Sequence, residues 1–520
     1  MSERWIRFLK NGVVMAAAAL LMRTVSVSFG AYVSGRIGPE GMGLYSLIMS
    51  IYTLAVTFAT SGVQLATTRL VAEAIGRREV GGARAALRTA IGYALLFGSV
   101  ASLLLFLFAR PIGTHLLSDG RTVPALRLLS LALVPVALSS VFSGYFTAVR
   151  RPGRAAGVSV TEQALRIMLT VLALTALLPK GMTYACLALV GGSAIAEIVS
   201  ALVLFLLFLL DSRRLRREAA GRLPVGPLLH ITLPIAAASY VRSGLVSAEH
   251  MLIPRALAGG GASREEALAA YGTLSGMALP IALYPMAALS AFAGLLVPEL
   301  AEGVATRDLA GNRRICERAM AGTLWFSVAA GGLIAAFAMP LAEAVYGYRE
   351  AGTYLALLAP IVPVMYLDHV TDMMLKGLGR QVYAMGVNIL DSVGSILLVL
   401  LLLPSLGAVG YVYVILIAEV FNFSLSFVGL RTALPFRFPL LRGVLFPVAA
   451  LLPAVTLVRY LPIPDGPFGL VLSFLLSFLL YVLLLFLFLR LSEKKVSKKE
   501  KAAPAPLDRR VAFGYNKGEE

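Results

Sequence analysis

The chain is expected to be an all-α polytopic membrane protein of about fourteen transmembrane helices. Of its 520 residues, 58 % are hydrophobic and only 14 % charged, whereas a soluble domain carries about 45–50 % apolar and about 25 % charged residues. The mean hydropathy is +0.83. The apolar residues fall in runs near the roughly 20 residues that span about 30 Å of hydrocarbon. The net charge of +18 does not indicate nucleic acid, because the basic residues stand between apolar runs and do not gather with aromatic side chains. Cys186 and Cys316 are the two cysteines and lie far apart in sequence, so neither a disulfide framework nor a zinc site is expected.

Polar, proline and glycine breaks place the spans at about 12–34, 44–67, 86–109, 125–148, 156–178, 183–210 and 228–251 in the first part of the chain. The rest fall at about 270–297, 320–345, 353–375, 382–403, 408–430, 443–461 and 467–489. Arg4, Arg7 and Lys10 precede the first run, which is too long for the apolar region of a signal peptide and reads as an uncleaved helix. Of 46 Lys and Arg residues, 34 fall on one side of this layout and 8 on the other, with Arg23, Arg127, Arg166 and Arg242 inside spans. Positive loops face the cytoplasm, so both termini are expected there, in the cell membrane.

The chain also repeats itself. Ala17 to Ala19 and Arg23 align with Ala236 to Ala238 and Arg242 at an offset of 219; Leu70 to Glu73, Arg151, Gly157 and Glu162 align with Glu299 to Glu302, Arg380, Gly386 and Asp391 at 229; Ile195 to Glu197 align with Ile417 to Glu419 at 222. Six spans per copy is an even number, so the copies enter the membrane in the same direction, as parallel repeats about a central cavity do. The organisation expected is one lobe at 1–222 (spans 1–6), a second at 223–442 (spans 7–12), spans 13–14 at 443–490, and a disordered basic cytoplasmic tail at 491–520. Lys, Glu, Pro and Gly dominate that tail, which lacks the apolar surface needed to fold alone. Its lysines read as a topology signal or as a site for anionic lipid headgroups.

Charged residues near a bilayer centre cost about 2.5–3.5 kcal/mol, so they face a cavity or a partner. Arg23, its repeat mate Arg242, and Arg166 are the candidate substrate-binding residues, because a guanidinium fork suits phosphate oxygens in a low-dielectric cavity. The opposing reading is that these arginines pair with Glu162, Asp391, Glu197 or Glu419 and hold helices together. Asp368, Asp372 and Lys376 share one helix face beside His369, at spacings of four. With the four carboxylates just named, they are candidates for gating or ion coupling, an ion pair between Asp372 and Lys376 being the alternative. Pro280, Pro285, Pro360 and Pro363 are expected to kink their helices. The sequence holds four histidines and no HExxH, CxxC or Gly-Lys dipeptide, so no catalytic, metal or cofactor site is expected.

Several segments resemble the oligosaccharide-flippase side of the multidrug/oligosaccharidyl-lipid/polysaccharide exporter superfamily. They are GRIGPEGMGLYSL from Gly35, SGYFTAVRRPGRAA from Ser143, EQALR from Glu162, YGTLSGMALPIALYPMAALSAFAGLLVPELAE from Tyr271, and APIVPVMYLDHVTDMMLKGLGRQ from Ala359. The branch they resemble is the stage V sporulation protein B-like one, related to lipid II flippases. The resemblance implies two six-helix lobes, alternating access, and movement of an isoprenoid-diphosphate-linked saccharide between leaflets, with the substrate and membrane lipids as partners. It also implies a cationic cavity that includes Arg23. A second arginine expected six residues later is Phe29 here, which widens the choice of saccharide beyond lipid II. Spans 13 and 14 look like the pair that borders a groove for the lipid tail. Two other readings stay open: a cation-coupled drug exporter of the same superfamily, and a non-transporting scaffold for envelope assembly. The saccharide, the energy source and the oligomeric state are left open as well.

Overall fold

The structure is a computed structural model that describes residues 3–502 apart from 78, 213–224, 437, 439, 440 and 465. It is helical, and no strand occurs among the described residues. The helices are α1 (Glu3–Thr60), α2 (Val63–Gly76), α3 (Val80–Pro111), α4 (Val123–Ser130), α5 (Leu133–Ala148), α6 (Pro152–Leu177), α7 (Met182–Asp211), α8 (Val225–Gly259) and α9 (Arg264–Tyr271). They continue with α10 (Leu279–Ala282), α11 (Met286–Ala305), α12 (Leu309–Tyr346), α13 (Glu350–Leu358), α14 (Val362–Gly377), α15 (Gln381–Ala433), α16 (Phe446–Arg459) and α17 (Pro467–Ala502).

Among the described residues ten helices are long and apolar enough to cross a membrane, or eleven if the pair Gly120–Ser130 and Leu133–Ala148, bent by 42°, counts as one span. Fourteen were expected, and the difference has physical sources. Two of the ten run for 62 and 53 residues, about 93 and 80 Å at 1.5 Å per residue, far more than about 30 Å of hydrocarbon requires. Each breaks at a glycine: Gly38 (φ 69°) precedes Pro39 in α1, and Gly407 (φ 61°) follows Pro404 in α15. A positive φ kinks the chain there, and glycine adopts it without a Cβ penalty. In addition, α8 carries Arg242, Glu249 and Arg255 among its serines and prolines and is not apolar enough to qualify.

The sequence repeat has a backbone counterpart. After α5, Val149, Arg150 and Arg151 donate N–H bonds to Tyr145, Thr147 and Phe146; after α14, Leu378, Gly379 and Arg380 donate to Met374, Lys376 and Leu375, every residue displaced by 229. Arg150 and Gly379 both have positive φ. The turns after α2 and α11 match likewise, with Glu79 bonding Ala74 and Asp308 bonding Gly303.

One large core cluster joins Leu44 and Tyr145 from the first half to Tyr271, Tyr366 and Val412 from the second, and a smaller cluster fills the second half around Leu300, Met320 and Met374. The last two helices attach to α12. Trp325 donates its indole N–H to the Arg442 carbonyl at 2.9 Å, and Tyr481 donates to the Trp325 carbonyl at 2.7 Å. Ala329, Ala450, Ala454, Tyr481 and Leu485 pack beneath them.

The region expected to be disordered from residue 491 starts as helix, because α17 continues to Ala502. Its run of lysine and glutamate supports helix where proline and glycine do not interrupt. Residues 503–520, and the expected basic loop from Arg213 to Arg222, lie outside the described residues.

At the end of the molecule remote from the chain termini, α1 crosses the Tyr271 region backbone to backbone. A Cβ on Gly43 would lie 2.1 Å from the Leu268 carbonyl oxygen, and one on Gly272 would lie 2.1 Å from that of Pro39. Replacing Gly43 or Gly272 by alanine therefore forces the crossing apart, at about 1–3 kcal/mol for overpacking. The expected outcome is a lowered unfolding temperature in detergent for either variant, and little change for Gly294→Ala, whose Cβ meets nothing within 4 Å.

Candidate functional site

Beyond the glycine crossing, the second stretch of α1 and helix α8 run side by side and line an open cavity of about 700 Å³. Ser46, Ser50, Thr53, Thr57 and Thr60 follow one another at steps of three or four, which places them on one face of α1. Ser239, Ser243 and Ser247 do the same on α8, with Arg242 between them, and Tyr271 and Ser275 close one end. The helices are stitched across the cavity by Ser243 to Thr57 (3.3 Å), Ser247 to the Ser50 carbonyl (3.1 Å) and Tyr240 to the Phe58 carbonyl (3.1 Å). His250 Nδ1 and the Tyr271 hydroxyl share a hydrogen bond of 2.6 Å at its rim.

Arg242 reaches this cavity, and Asp391 and Asp368 lie within electrostatic range of it. Arg23 is not among the lining residues. Its Nη2 donates to the Pro280 carbonyl at 3.4 Å, while its Nε is buried without a partner. That carbonyl sits at the break where α10 ends, beside prolines 280 and 285. The next side chain, Thr24, bonds the Tyr284 hydroxyl at 2.8 Å, and Tyr366 donates to the Ala282 carbonyl. Arg23 thus supports the broken helix from the other half of the molecule, and the repeat mates do not meet in this cavity.

Arg166 is engaged with carboxylates, at 2.7 Å from Glu162 and 3.6 Å from Glu197, which also accepts from the Tyr52 hydroxyl. In the second half the repeat mates Asp391 and Glu419 are electrostatic neighbours, joined by Asp368. Asn422 donates to Asp368 at 3.1 Å; Asp368 Oδ1, Asp391 Oδ1, Asn422 Oδ1 and Ser426 Oγ are buried and unpartnered. Asp372 pairs with Lys376 at 2.9 Å, and His369 Nε2 meets Ser290 Oγ at 3.0 Å. Among the described residues no group of three or more His, Cys, Asp or Glu could hold a metal ion.

Sequence reasoning overlooked the hydroxyl faces of α1 and α8. Their signal was present as Ser/Thr at helical spacing inside apolar spans. It also overlooked a charged cluster at the remote end. Arg264 Nη2 donates to the Leu117 carbonyl at 3.0 Å and lies 3.5 Å from Asp119, and Arg255 donates to the His115 carbonyl. Asp119 is gripped by Arg121, which also pairs with Glu40 at 2.8 Å. Burial works to raise the Asp119 pKa, and the hydrogen bonds and charges of Arg121 and Arg264 outweigh it and hold the carboxyl below its ordinary value. No sequence pattern announces this cluster, because its members come from four separate segments.

Three outcomes follow from this geometry. Arg264→Ala loosens the remote end, so a Ser46→Cys reporter reacts faster with a membrane-impermeant maleimide than it does with Arg264 in place. Because the Asp119 pKa is lowered, its contribution is complete at neutral pH and fades only as pH falls below the ordinary aspartate value of about 3.9. The ratio of labelling rates with and without Arg264→Ala, in which the ionisation of the thiol itself cancels, is therefore flat between pH 5 and pH 8. Arg166→Ala strands two carboxylates and lowers stability by an amount between the roughly 0–1 kcal/mol of an exposed pair and the roughly 3–5 kcal/mol of a buried one. Thermal unfolding measures this, and adding Glu162→Gln recovers part of the loss.

Comparison with known proteins agrees with this architecture. The chain is 27 % identical over 415 residues to stage V sporulation protein B of Bacillus subtilis (strain 168), an alignment covering 78 % of this chain and 79 % of that protein. Among solved structures it resembles the lipid II flippase MurJ in an inward closed conformation, with a TM-score of 0.71 at 13 % identity, covering 92 % of this chain and 99 % of that one. It also resembles an inward-facing multidrug resistance transporter of the MATE family, with a TM-score of 0.62 at 16 % identity and coverage of 81 % and 98 %. Residues 8–302 match the polysaccharide biosynthesis protein family, to which this multi-span helical membrane chain belongs.

Proposed function

We propose that the protein carries a lipid-linked saccharide from the inner to the outer leaflet of the cell membrane by alternating access between residues 1–222 and 223–442. The observation that carries this reading is the polar cavity between the two halves, with the remote end held shut by contacts that join one half to the other. Opening that end while closing the other would expose one cavity to the two leaflets in turn. The orientation proposed puts both termini in the cytoplasm, on the side with 34 of the basic residues. The similarity to stage V sporulation protein B and to a lipid II flippase fold supports a cell-wall or polysaccharide precursor as cargo. Transport of this kind asks for binding and gating residues, not for catalytic groups, so the protein is read as a non-enzyme.

In this scheme Arg242 holds the anionic part of the cargo. Arg23 couples the broken helix of the second half to α1, and Arg166 with Glu162 and Glu197 keeps the first half rigid. Asp368, Asp391 and Glu419, with Asp372 and Lys376 below them, are the proposed ion-coupling and gating groups. A specific observation favours the second reading, export of an organic cation: these carboxylates stand near Arg242 and reduce the positive charge of the cavity.

The test is reconstitution into vesicles containing a fluorescent undecaprenyl-diphosphate saccharide, with transfer between leaflets read by dithionite quenching. The expected result is transfer by the wild type. Arg242→Ala slows it about 10- to 100-fold, in line with loss of a hydrogen bond to a charged group. Vesicles that move the lipid no faster than empty ones, yet accumulate ethidium against a sodium or proton gradient, would replace the flippase reading with the exporter.

A further inference from the structure

The turn after α5 carries three arginines for which the transport scheme has no use. Arg150 and Arg151 form the turn, Arg154 lies in the first turn of α6, and all three are exposed. Asp211, the last residue of α7, accepts from Arg151 and, at 2.6 Å, from Arg154 through the same oxygen, Oδ1. Its other oxygen accepts from the Tyr145 hydroxyl at 3.0 Å. The carboxylate is thus engaged at both oxygens. Each guanidinium gives it one nitrogen and keeps its other N–H groups without a hydrogen-bond acceptor among the described residues. Three arginines against one carboxylate leave an excess of positive charge on an exposed surface.

The second half of the chain serves as an internal control. Its matching turn makes the same backbone hydrogen bonds with Gly379, Arg380 and Tyr383 in place of Arg150, Arg151 and Arg154, and Ala433 ends α15 where Asp211 ends α7. The turn therefore forms without the arginine cluster. Arg150 moreover adopts φ 59°, where the matching residue is glycine. A side chain is strained in that conformation, and such strain collects at functional sites.

The location points to the class of ligand. One candidate span ends at Asp211 and another begins at Pro152, so the cluster stands where two helices reach the membrane surface, at the level of lipid headgroups. Gly157, Thr161, Ala164, Met168 and Leu172 continue the line of Arg154 at helical steps and are exposed along one face of α6. None of them lines the cavity between α1 and α8. Guanidinium forks match pairs of phosphate oxygens, and the exposed face of α6 offers an acyl chain a path away from the arginines.

We propose that Arg151 and Arg154, set side by side by Asp211, form with Arg150 a binding site for the phosphate of an anionic lipid at the membrane surface, outside the central cavity. Phospholipids carry this group as well as polyprenyl carriers, so the site stands independently of the flippase reading.

Native mass spectrometry of the full chain in detergent tests this with phosphatidylglycerol, phosphatidylcholine and undecaprenyl phosphate as probes. The wild type is expected to bind phosphatidylglycerol about tenfold more tightly than phosphatidylcholine, whose headgroup has no net charge. Arg150→Gly and Arg150→Asn, which both tolerate positive φ, and Arg154→Gln, which can still donate to Asp211, each reduce that preference to about twofold or less. The unfolding temperature of Arg150→Gly equals or exceeds that of the wild type. Arg380→Gln, at the matching turn, leaves the preference intact. If these variants instead weaken undecaprenyl phosphate alone, the site stands and its phosphate comes from the polyprenyl carrier. Binding of both anionic lipids that is unchanged in all the variants, or that falls equally with Arg380→Gln, overturns the site and leaves the flippase reading untouched. Lipid loss that occurs only with a lowered unfolding temperature shows a structural clasp between α6 and α7 and overturns it too.

Discussion

The contact on which the architecture turns is the one between two backbones at Gly43 and Gly272. Nothing larger than hydrogen fits between Gly43 and the Leu268 carbonyl, or between Gly272 and the Pro39 carbonyl. Helices from the two halves touch there as closely as peptide groups allow, and small residues are the usual means of close helix approach in membranes. Below that point side-chain hydrogen bonds join α8 to α1, and the hydroxyl faces of the two helices line an open cavity. The charged cluster around Asp119 surrounds the same end, so steric and electrostatic closure coincide.

The arginines illustrate how a membrane protein disposes of intramembrane charge. Three guanidiniums of similar sequence context have three different fates. Arg166 is paired with two carboxylates, Arg23 keeps its charge and donates to the Pro280 carbonyl, and Arg242 faces a cavity. Each satisfies the same requirement, that a charge in an apolar slab has a partner or water. The requirement does not say which of the two it will be. Helix breakage creates partners as well: beside the turn that follows α10 the Pro280 and Ala282 carbonyls accept from Arg23 and Tyr366.

The two halves keep one backbone plan while dividing their chemistry differently. The turns after α5 and α14 superpose hydrogen bond for hydrogen bond at an offset of 229. In the first half the carboxylates Glu162 and Glu197 close on an arginine from their own half. In the second half Asp391 and Glu419 gather with Asp368 and leave several buried oxygens without partners. In the proposed alternating access, this symmetric scaffold with asymmetric polar clusters would let one half act as a frame and the other hold the groups that exchange partners.

Much of this was legible in the residues themselves. Hydrophobic run length is a local property, so the helical membrane class followed from composition and spacing, as did the family through the segments at Gly35, Ser143, Glu162 and Tyr271, which lie within the matched residues 8–302. The repeat was readable because matched turns demand matched backbone, at Arg151 and Arg380 above all. Ion pairs four residues apart, Glu162 with Arg166 and Asp372 with Lys376, also follow from helical pitch alone. What only the tertiary structure decided is which polar groups face one another across helices. Arg23 meets Pro280 at a separation of 257 residues, Arg264 meets Asp119, and the hydroxyl faces of α1 and α8 line a common space. Such meetings depend on the rotation and crossing of packed helices, which apolar side chains of nearly interchangeable size specify collectively and no single stretch of sequence encodes.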